Sequence, residues 1–264
     1  MNRHPDQVLH YLGYADIRSR AHRNGCIDLG DVSFLTPTTL LPLSITLRKL
    51  GDDVTIVPPP DPNVASYLRI MVGEHGFNAL NRSTYLPVVG LPKDENRSHP
   101  ILRKIYELSG DPGGRNAFRY LVGEMVDNIY QHSGFHDSLV MAQQYRKSGE
   151  MHLCIVDDGI TIPGSLRSSG ISLEDDQAII DAIEGASAKR EPERGRGLGT
   201  SLHLTVAGYG GSALVVSGYG AVYCDRDRCQ RYRLSDKNKF EGTLISMKIP
   251  LTTEEIDLYE HVVL

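Results

Sequence analysis

NAFRYLVGEMVDNIYQHSG, residues 116–134, is the most informative stretch of the chain. Its apolar residues recur at spacings of three and four, the period of an α-helix with one buried face. That face comprises Phe118, Leu121, Val122, Met125 and Ile129. Residues four apart stack along a second face. They are Tyr120, Glu124, Asn128 and His132. The pattern predicts a long helix with a polar stripe beside its buried face.

Glu124 and Asn128 on this stripe form a candidate catalytic pair. An asparagine side-chain oxygen can ligate a hard cation such as Mg²⁺. A glutamate one helical turn away can orient a water molecule and remove its proton. A solvated polar face would show the same pattern, so that alternative stays open for the helix taken alone.

A second polar feature interrupts MHLCIVDDGITIPGSL, residues 151–166, where an apolar strand runs directly into Asp157, Asp158 and Gly159. Functional residues concentrate where a buried strand delivers a polar side chain to a turn. A carboxylate there can accept a hydrogen bond from an exocyclic amine, such as that of adenine. One of the two aspartates could play this role. An ordinary strand-ending turn is the alternative, since Asp-Gly is a common turn pair.

The third feature is a set of alternating glycines, Gly195, Gly197 and Gly199, immediately before a predicted helix that starts near Thr200. Glycines let the backbone approach a phosphate closely. Neither the dinucleotide-binding fingerprint nor the Walker pattern fits, because charged residues precede the glycines and no Lys-Ser or Lys-Thr follows them. The long segment before them, 164–194, with a helical stretch at 172–190, is typical of a lid. Its basic end could meet phosphates, although solvated surface charge is the alternative.

The other elements complete the predicted architecture. In the first half, strands at 26–35 and 53–57 alternate with helices at 38–50 and 63–76, which indicates an α/β unit with parallel strands. A polar, proline-bracketed stretch at 91–100 is the candidate domain boundary. A helix at 101–110 follows it. The remaining predicted strands are 138–146, 151–159, 212–218, 219–224, 229–234 and 242–251. We therefore expect an α+β sandwich, with helices on a single face of the sheet.

Composition narrows the possible functions. Lys+Arg number 28 and Asp+Glu 33, a formal charge of −5, which argues against a nucleic-acid partner. There is no apolar run of the roughly 20 residues that span a bilayer and no signal-peptide pattern, so we expect a cytoplasmic protein without a membrane partner. The four cysteines do not predict a disulfide framework. Cys224 and Cys229 flank a charged hairpin tip without further metal ligands.

In this order, the three features and a later EGT resemble the four sequence boxes of the GHKL ATPase superfamily, which includes gyrase, heat-shock chaperone ATPases, histidine kinases and mismatch-repair ATPases. EMVDN resembles the box with the general base and the magnesium-binding asparagine, and DDGITIP resembles the adenine box. RGRGLGTSL resembles the glycine box of the ATP lid, and EGT at 241–243 resembles the last box, which lies beside adenine. The resemblance spans about 115–250. One departure is Thr161, where the family usually has a second glycine.

The resemblance implies a Bergerat-type sandwich of a mixed sheet covered by helices, with ATP and Mg²⁺ as cofactors. It makes Glu124 the catalytic base, Asn128 the metal ligand and Asp157 the residue that accepts from the adenine amine. We therefore expect Asp158 to point elsewhere. The cofactor-binding residues it implies are Asn128, Asp157, Gly159, Thr161, Arg194, Gly195, Arg196, Gly197, Leu198, Gly199, Thr200 and Thr243.

The N-terminal half more faintly resembles a STAS domain, the module of anti-sigma-factor antagonists, through IDLGDVSFLTPTTL at 27–40. Thr38 stands nearest the serine that is phosphorylated in that module, so Thr38 is a candidate control point. We therefore expect two domains: a STAS-like regulatory or interaction domain at 1–95 and a GHKL-type ATP-binding domain at 96–264.

Three functions fit these predictions. The first is a regulatory protein that uses Mg-ATP binding and hydrolysis to switch its conformation or partner binding. The second is an anti-sigma-factor-type Ser/Thr protein kinase, in which Glu124 deprotonates a hydroxyl instead of water. The third is a non-hydrolysing, nucleotide-gated binding module. Each implies a protein partner, unidentified by the sequence, and a homodimer stays open.

Overall fold

The computed structural model describes residues 4–51, 54–72, 84–185 and 198–261. Its helices are α1 Asp6–Asn24, α2 Pro37–Leu50, α3 Pro62–Val72, α4 His99–Ser109, α5 Arg115–His132, α6 Ile162–Ser168, α7 Asp175–Ile183 and α8 Leu198–His203. Its strands are β1 Cys26–Asp28, β2 Thr55–Val57, β3 Tyr85–Gly90, β4 Ser138–Tyr145, β5 Glu150–Asp157, β6 Ser212–Gly218, β7 Gly220–Cys224, β8 Cys229–Arg233 and β9 Phe240–Pro250. A π-helical turn, Leu204–Gly208, extends α8.

A seven-stranded sheet in the order β3-β4-β5-β9-β6-β7-β8 forms the centre of the molecule. Every pair of neighbours in this sheet is antiparallel, so the expected mixed sheet is wrong in that detail. β5 lies between β4 and β9, with Asp157 opposite Thr243. The edge strand β3 contains Pro87, in keeping with the preference of proline for edge strands.

Helices cover both faces of this sheet, which corrects the expectation of helices on a single face. Leu153 and Ile155 of β5 pack into one apolar core with α4, α5, α7 and α8. Cys154 and Val156, which alternate with them, pack into a second core with α1, α2 and α3. The physical reason is visible in β5, whose run Leu-Cys-Ile-Val is apolar on both sides of the strand. The molecule is thus a three-layer α+β sandwich.

The N-terminal half contains the predicted parallel unit, because β1 pairs with β2 in parallel across α2. Among its described residues, this half has no apolar core separate from that of the large sheet. Val8, Tyr11 and Leu41 share the second core with the strands of the large sheet. The predicted boundary at residue 95 falls between β3 and β4, which pair as neighbours in one sheet. The proposed division into domains at 1–95 and 96–264 therefore does not match the packing.

A buried polar network joins the N-terminal helices to the sheet. The Thr38 and Ser246 hydroxyls lie 2.8 Å apart, and the Gln7 side-chain amide donates to the Ser246 carbonyl at 2.8 Å. The Thr38 side chain is only 1% exposed. The expectation of Thr38 as a phosphorylated control point is therefore wrong for this conformation, because a modifying enzyme cannot reach the hydroxyl.

Thr38→Glu is expected to destabilise the fold by about 3 kcal/mol or more, because it buries a charge without a partner. Thr38→Val should cost only about 1 kcal/mol, since it keeps the shape and loses only the hydroxyl hydrogen bonds to Ser246 and Cys154. The free energy of unfolding in urea measures both. Thr55→Glu on exposed β2 is the matched control and should be nearly neutral. A Thr38→Glu protein as stable as the wild type would contradict the buried environment of this residue.

The structure contains one disulfide that the sequence did not predict. Cys224 and Cys229 face each other across the β7–β8 hairpin and form a disulfide, whereas Cys26 and Cys154 are free. Asp225 accepts hydrogen bonds from the Asp227 and Arg228 backbone N–H groups and so closes the turn between the paired cysteines. Within the described residues, no helix combines the length and apolarity needed to cross a membrane.

Candidate functional site

A cavity of ≈ 380 Å³ lies between the sheet and helices α5, α6, α7 and α8. Its size falls in the range of about 300–1,000 Å³ typical of small-molecule sites. Three of the predicted features meet there, although they are far apart in the chain. Asn128 comes from α5, Asp157 from the end of β5, and Leu198, Gly199 and Thr200 from the start of α8.

Asp157 is the buried acid of the cavity, with 3% of its surface exposed. Its Oδ1 accepts a hydrogen bond from the Gly159 backbone N–H at 2.9 Å. Burial raises the pKa of the Asp157 carboxyl to about 7, while the Gly159 N–H opposes this rise and the neighbouring Asp158 adds to it. The group therefore changes protonation near neutral pH. As a carboxylate it can accept from an amine, and as an acid it can donate.

Asp158, the next residue, has a structural role. Its Oδ1 accepts from the backbone N–H groups of His136 and Asp137, at 2.8 and 2.7 Å. It thereby fixes the turn between α5 and β4 and does not line the cavity. The expectation that Asp157 and Asp158 point to different places is confirmed.

Thr243 stands beside Asp157 on β9 and lines the same end of the cavity. Its hydroxyl lies 3.0 Å from that of Ser217, which is fully buried. Ser217 also accepts from the Ile162 backbone N–H at 2.9 Å, so it connects β6, β9 and the start of α6. Sequence reasoning missed Ser217, although a serine at the end of the apolar run Ala-Leu-Val-Val was a visible signal.

Thr161 is explained by a local requirement of the chain. It is the N-cap of α6, and its hydroxyl accepts from the Gly164 backbone N–H at 3.0 Å. Threonine at this position satisfies a backbone donor that glycine would leave without a side-chain partner. Thr161 also lines the cavity, so it supplies both a helix cap and a hydroxyl to the site.

The amide nitrogen of the Asn128 side chain is hydrogen-bonded within α5. Its Nδ2 donates to the Glu124 backbone carbonyl at 2.7 Å, so Oδ1 is the atom it can offer to a ligand. Glu124 lies one turn earlier and is half-buried. Unlike Asn128, Glu124 is not among the described residues that line the cavity. The two residues share a helix face, as predicted, but only Asn128 contacts the cavity directly.

Gly159, Gly199 and Gly242 are required by close backbone contacts. A Cβ at Gly159 would overlap the Ser133 carbonyl, one at Gly199 the Ile183 carbonyl, and one at Gly242 the Asp157 carbonyl. These glycines let the walls of the cavity approach one another. Their positions are explained by chain packing, whereas the sequence interpretation assigned Gly159 and Gly199 to direct contact with a nucleotide.

Part of the predicted site lies outside the described residues. Arg194, Gly195, Arg196 and Gly197 belong to 186–197, as does the rest of the basic end of the predicted lid, Lys189 and Arg190. The described part of the lid segment forms α6 and α7. Asp175 at the start of α7 anchors it by accepting from the Tyr219 backbone N–H at 2.7 Å and from the Arg167 guanidinium at 2.8 Å.

The remaining lining is mainly apolar with a few histidines. Ile160, Ile162 and Leu166 from the α6 region, with Ile183 from α7, provide apolar surface to the cavity. His132, predicted on the polar stripe of α5, lines the cavity as well. His203 and His261 were not predicted, and the sequence around His261 carries no motif that would have identified it.

No family model, no curated protein and no solved structure matches this chain.

Proposed function

We propose that this chain is an ATP-binding regulatory protein that uses Mg-ATP binding and hydrolysis to switch its conformation or its partner. The observation that supports the proposal is the convergence of Asn128, Asp157 and Leu198–Thr200 on one cavity. Asn128 offers an oxygen to a cation, Asp157 offers an acceptor to an exocyclic amine, and Leu198–Thr200 belong to the glycine-containing stretch expected to meet phosphate. A chance alignment of polar residues would not be expected to bring three separate features to a single pocket.

The cavity suits a nucleotide in both shape and chemistry. Asp157 supplies a buried acceptor for an exocyclic amine, and the isoleucines of the α6 region supply apolar surface for a planar base. A site with few, well-placed polar groups in an apolar lining is typical of cofactor binding. Adenine fits the carboxylate better than guanine, which carries a carbonyl where adenine carries its amine.

Asn128 is the residue that would hold Mg²⁺, through Oδ1, because its amide nitrogen is engaged within α5. An oxygen ligand of this kind suits magnesium. When bound, the ion would offset phosphate charge. Glu124 lies one helical turn from Asn128 and is not among the described residues that line the cavity. Its proposed role is to remove a proton from the attacking water.

A nucleotide-gated binding module without turnover is the second candidate. The observation in its favour is the position of Glu124, which does not line the cavity although Asn128 does. Pure binding requires Asp157 and Asn128 but no base. Measurement of turnover, described in the Discussion, separates the two candidates.

Calorimetric titration of the protein with ATP and GTP, each with Mg²⁺ at pH 8, tests the proposed function. We expect ATP to bind at least about tenfold more tightly than GTP, because an unmatched buried polar group costs about 1–3 kcal/mol. Omission of Mg²⁺ should weaken ATP binding. Equal affinities for the two nucleotides, or no heat with either, would rule out an adenine site at Asp157.

Affinity for the base is expected to depend on pH near neutrality. Because burial raises the pKa of Asp157 to about 7, the carboxyl gains a proton as the pH falls through 7 and then loses its accepting role. Adenosine, which has no phosphate to titrate, should bind up to about tenfold more weakly for each pH unit below 7. The measurement is a competition titration from pH 8.5 to 6. The same profile in Asp157→Asn would show that another group controls it.

A further inference from the structure

The described lining of the cavity is unusual for a site proposed to hold a polyphosphate. Among the described residues that line it, there is no lysine and no arginine. The described lining includes two carboxylates, Asp157 and Glu184, and three histidines, His132, His203 and His261. Imidazole nitrogens are therefore the strongest donors that the described side chains offer to an anion.

His261 reaches the cavity through a C-terminal segment, residues 251–261, that crosses the loop before α5. The Gly113 backbone N–H donates to the Thr252 carbonyl at 3.0 Å, and the Ile256 N–H donates to the Gly113 carbonyl at 2.8 Å. Ile256 and Leu258 pack against the first apolar core. The segment is thus attached at two points before it presents His261 to the cavity.

His261 lies beside His203, with ring centroids 5.8 Å apart and an interplanar angle of 50°. His203 stands one helical turn after Gly199 on α8, and both line the cavity. Gly208 packs closely enough that a Cβ there would contact the His261 ring at 3.3 Å. Two imidazoles from separate elements therefore meet at the α8 side, whereas Asp157 approaches from the sheet.

We propose that His203 and His261 bind the phosphate chain of the nucleotide, so that the C-terminal segment supplies part of the site. This inference rests on the proposed function and assigns the triphosphate end of the ligand. An imidazole donates at least one N–H in either protonation state, and hydrogen bonds to a charged acceptor are the strong ones. Binding of phosphate at His261 would also hold the C-terminal segment against the loop before α5.

The test compares ATP, adenosine and inorganic tripolyphosphate as ligands of the full chain. His261→Phe and His203→Phe keep a ring and remove the donors. We expect each to weaken ATP and tripolyphosphate binding about tenfold and to leave adenosine unchanged. His261→Gln, which restores an N–H donor, should recover most of the ATP affinity. His22→Ala on α1 and Tyr259→Ala, whose residue is 78% exposed in the same segment, are the controls and should bind like the wild type.

The outcomes separate this inference from the proposed function. Wild-type ATP affinity in both phenylalanine variants, or an equal loss for adenosine, would overturn the phosphate assignment alone. Tripolyphosphate binding that depends on His261, in a wild type that ignores ATP and adenosine, would support the anion site and overturn the nucleotide function. No binding of ATP or tripolyphosphate by the wild type would overturn both.

Discussion

Glu124→Ala is expected to reduce ATP turnover by about 10²- to 10⁴-fold, the usual contribution of a positioned general base. The affinity for Mg-ATP should change by less than about threefold, because the proposed base acts on water and leaves the nucleotide contacts intact. Phosphate release and calorimetric affinity, measured on the same preparation, give the two values. Glu124 lies one turn from Asn128 and is half-buried, so the variant should fold normally.

Asn128→Ala is the matched comparison on the same helix face. It should weaken Mg²⁺-dependent ATP binding and turnover together, since Asn128 lines the cavity and Glu124 does not. The two variants must therefore differ: one binds ATP without turnover, and the other binds poorly. If Glu124→Ala retains wild-type turnover, Glu124 is not the base. If the wild type itself shows no turnover, the nucleotide-gated binding module becomes the better interpretation.

Asp157→Asn is expected to weaken ATP binding by about tenfold to a hundredfold, or about 1–3 kcal/mol, because the amide can present a donor to the adenine amine. The carboxyl is 3% exposed, so water cannot compensate for the mismatch. Asp158→Asn is the control, since an amide oxygen can still accept from the His136 and Asp137 backbone. Equal losses at both positions would contradict the assignment of Asp157 to the base.

The same substitution should stabilise the free protein at high pH. The pKa of Asp157 is raised in the folded state, so the carboxyl contributes stability at low pH that is lost as the pH rises toward about 7. Asp157→Asn has no charge to bury, and the difference in unfolding free energy between variant and wild type should grow by about 1–3 kcal/mol from pH 5 to pH 8. Urea unfolding at the two pH values measures it. A difference that shrinks over this range would contradict the buried acid.

Much of the sequence interpretation depended on local periodicity, and that part agrees with the structure. The three-and-four spacing of Phe118, Leu121 and Met125 predicted α5, and the parallel unit of β1, α2 and β2 was predicted from alternating apolar runs and proline breaks. The cavity contacts of Asn128 and Asp157 were also predicted. In each case a few neighbouring residues carry the information.

The features that were missed depend on contacts between distant parts of the chain. Nothing local indicates that α1 and α2 pack on the second face of the sheet, although the unbroken apolar run of β5 is compatible with burial on both sides. β3 was not predicted because it contains Pro87, which is unusual within a strand. α1 was not predicted because its tyrosines and arginines obscure the apolar periodicity of its buried face. His261 lines the cavity at the end of a C-terminal segment that is held by the Gly113 backbone and by the packing of Ile256 and Leu258.

A crystal structure of the protein with Mg²⁺ and a non-hydrolysable ATP analogue would test the proposed site most directly. We expect density for the adenine amine within hydrogen-bonding distance of the Asp157 carboxylate. Asn128 Oδ1 should lie within reach of the ion, and the phosphates should extend toward Leu198–Thr200 and His261. An empty cavity at saturating analogue, or an analogue bound elsewhere on the molecule, would contradict the proposed function.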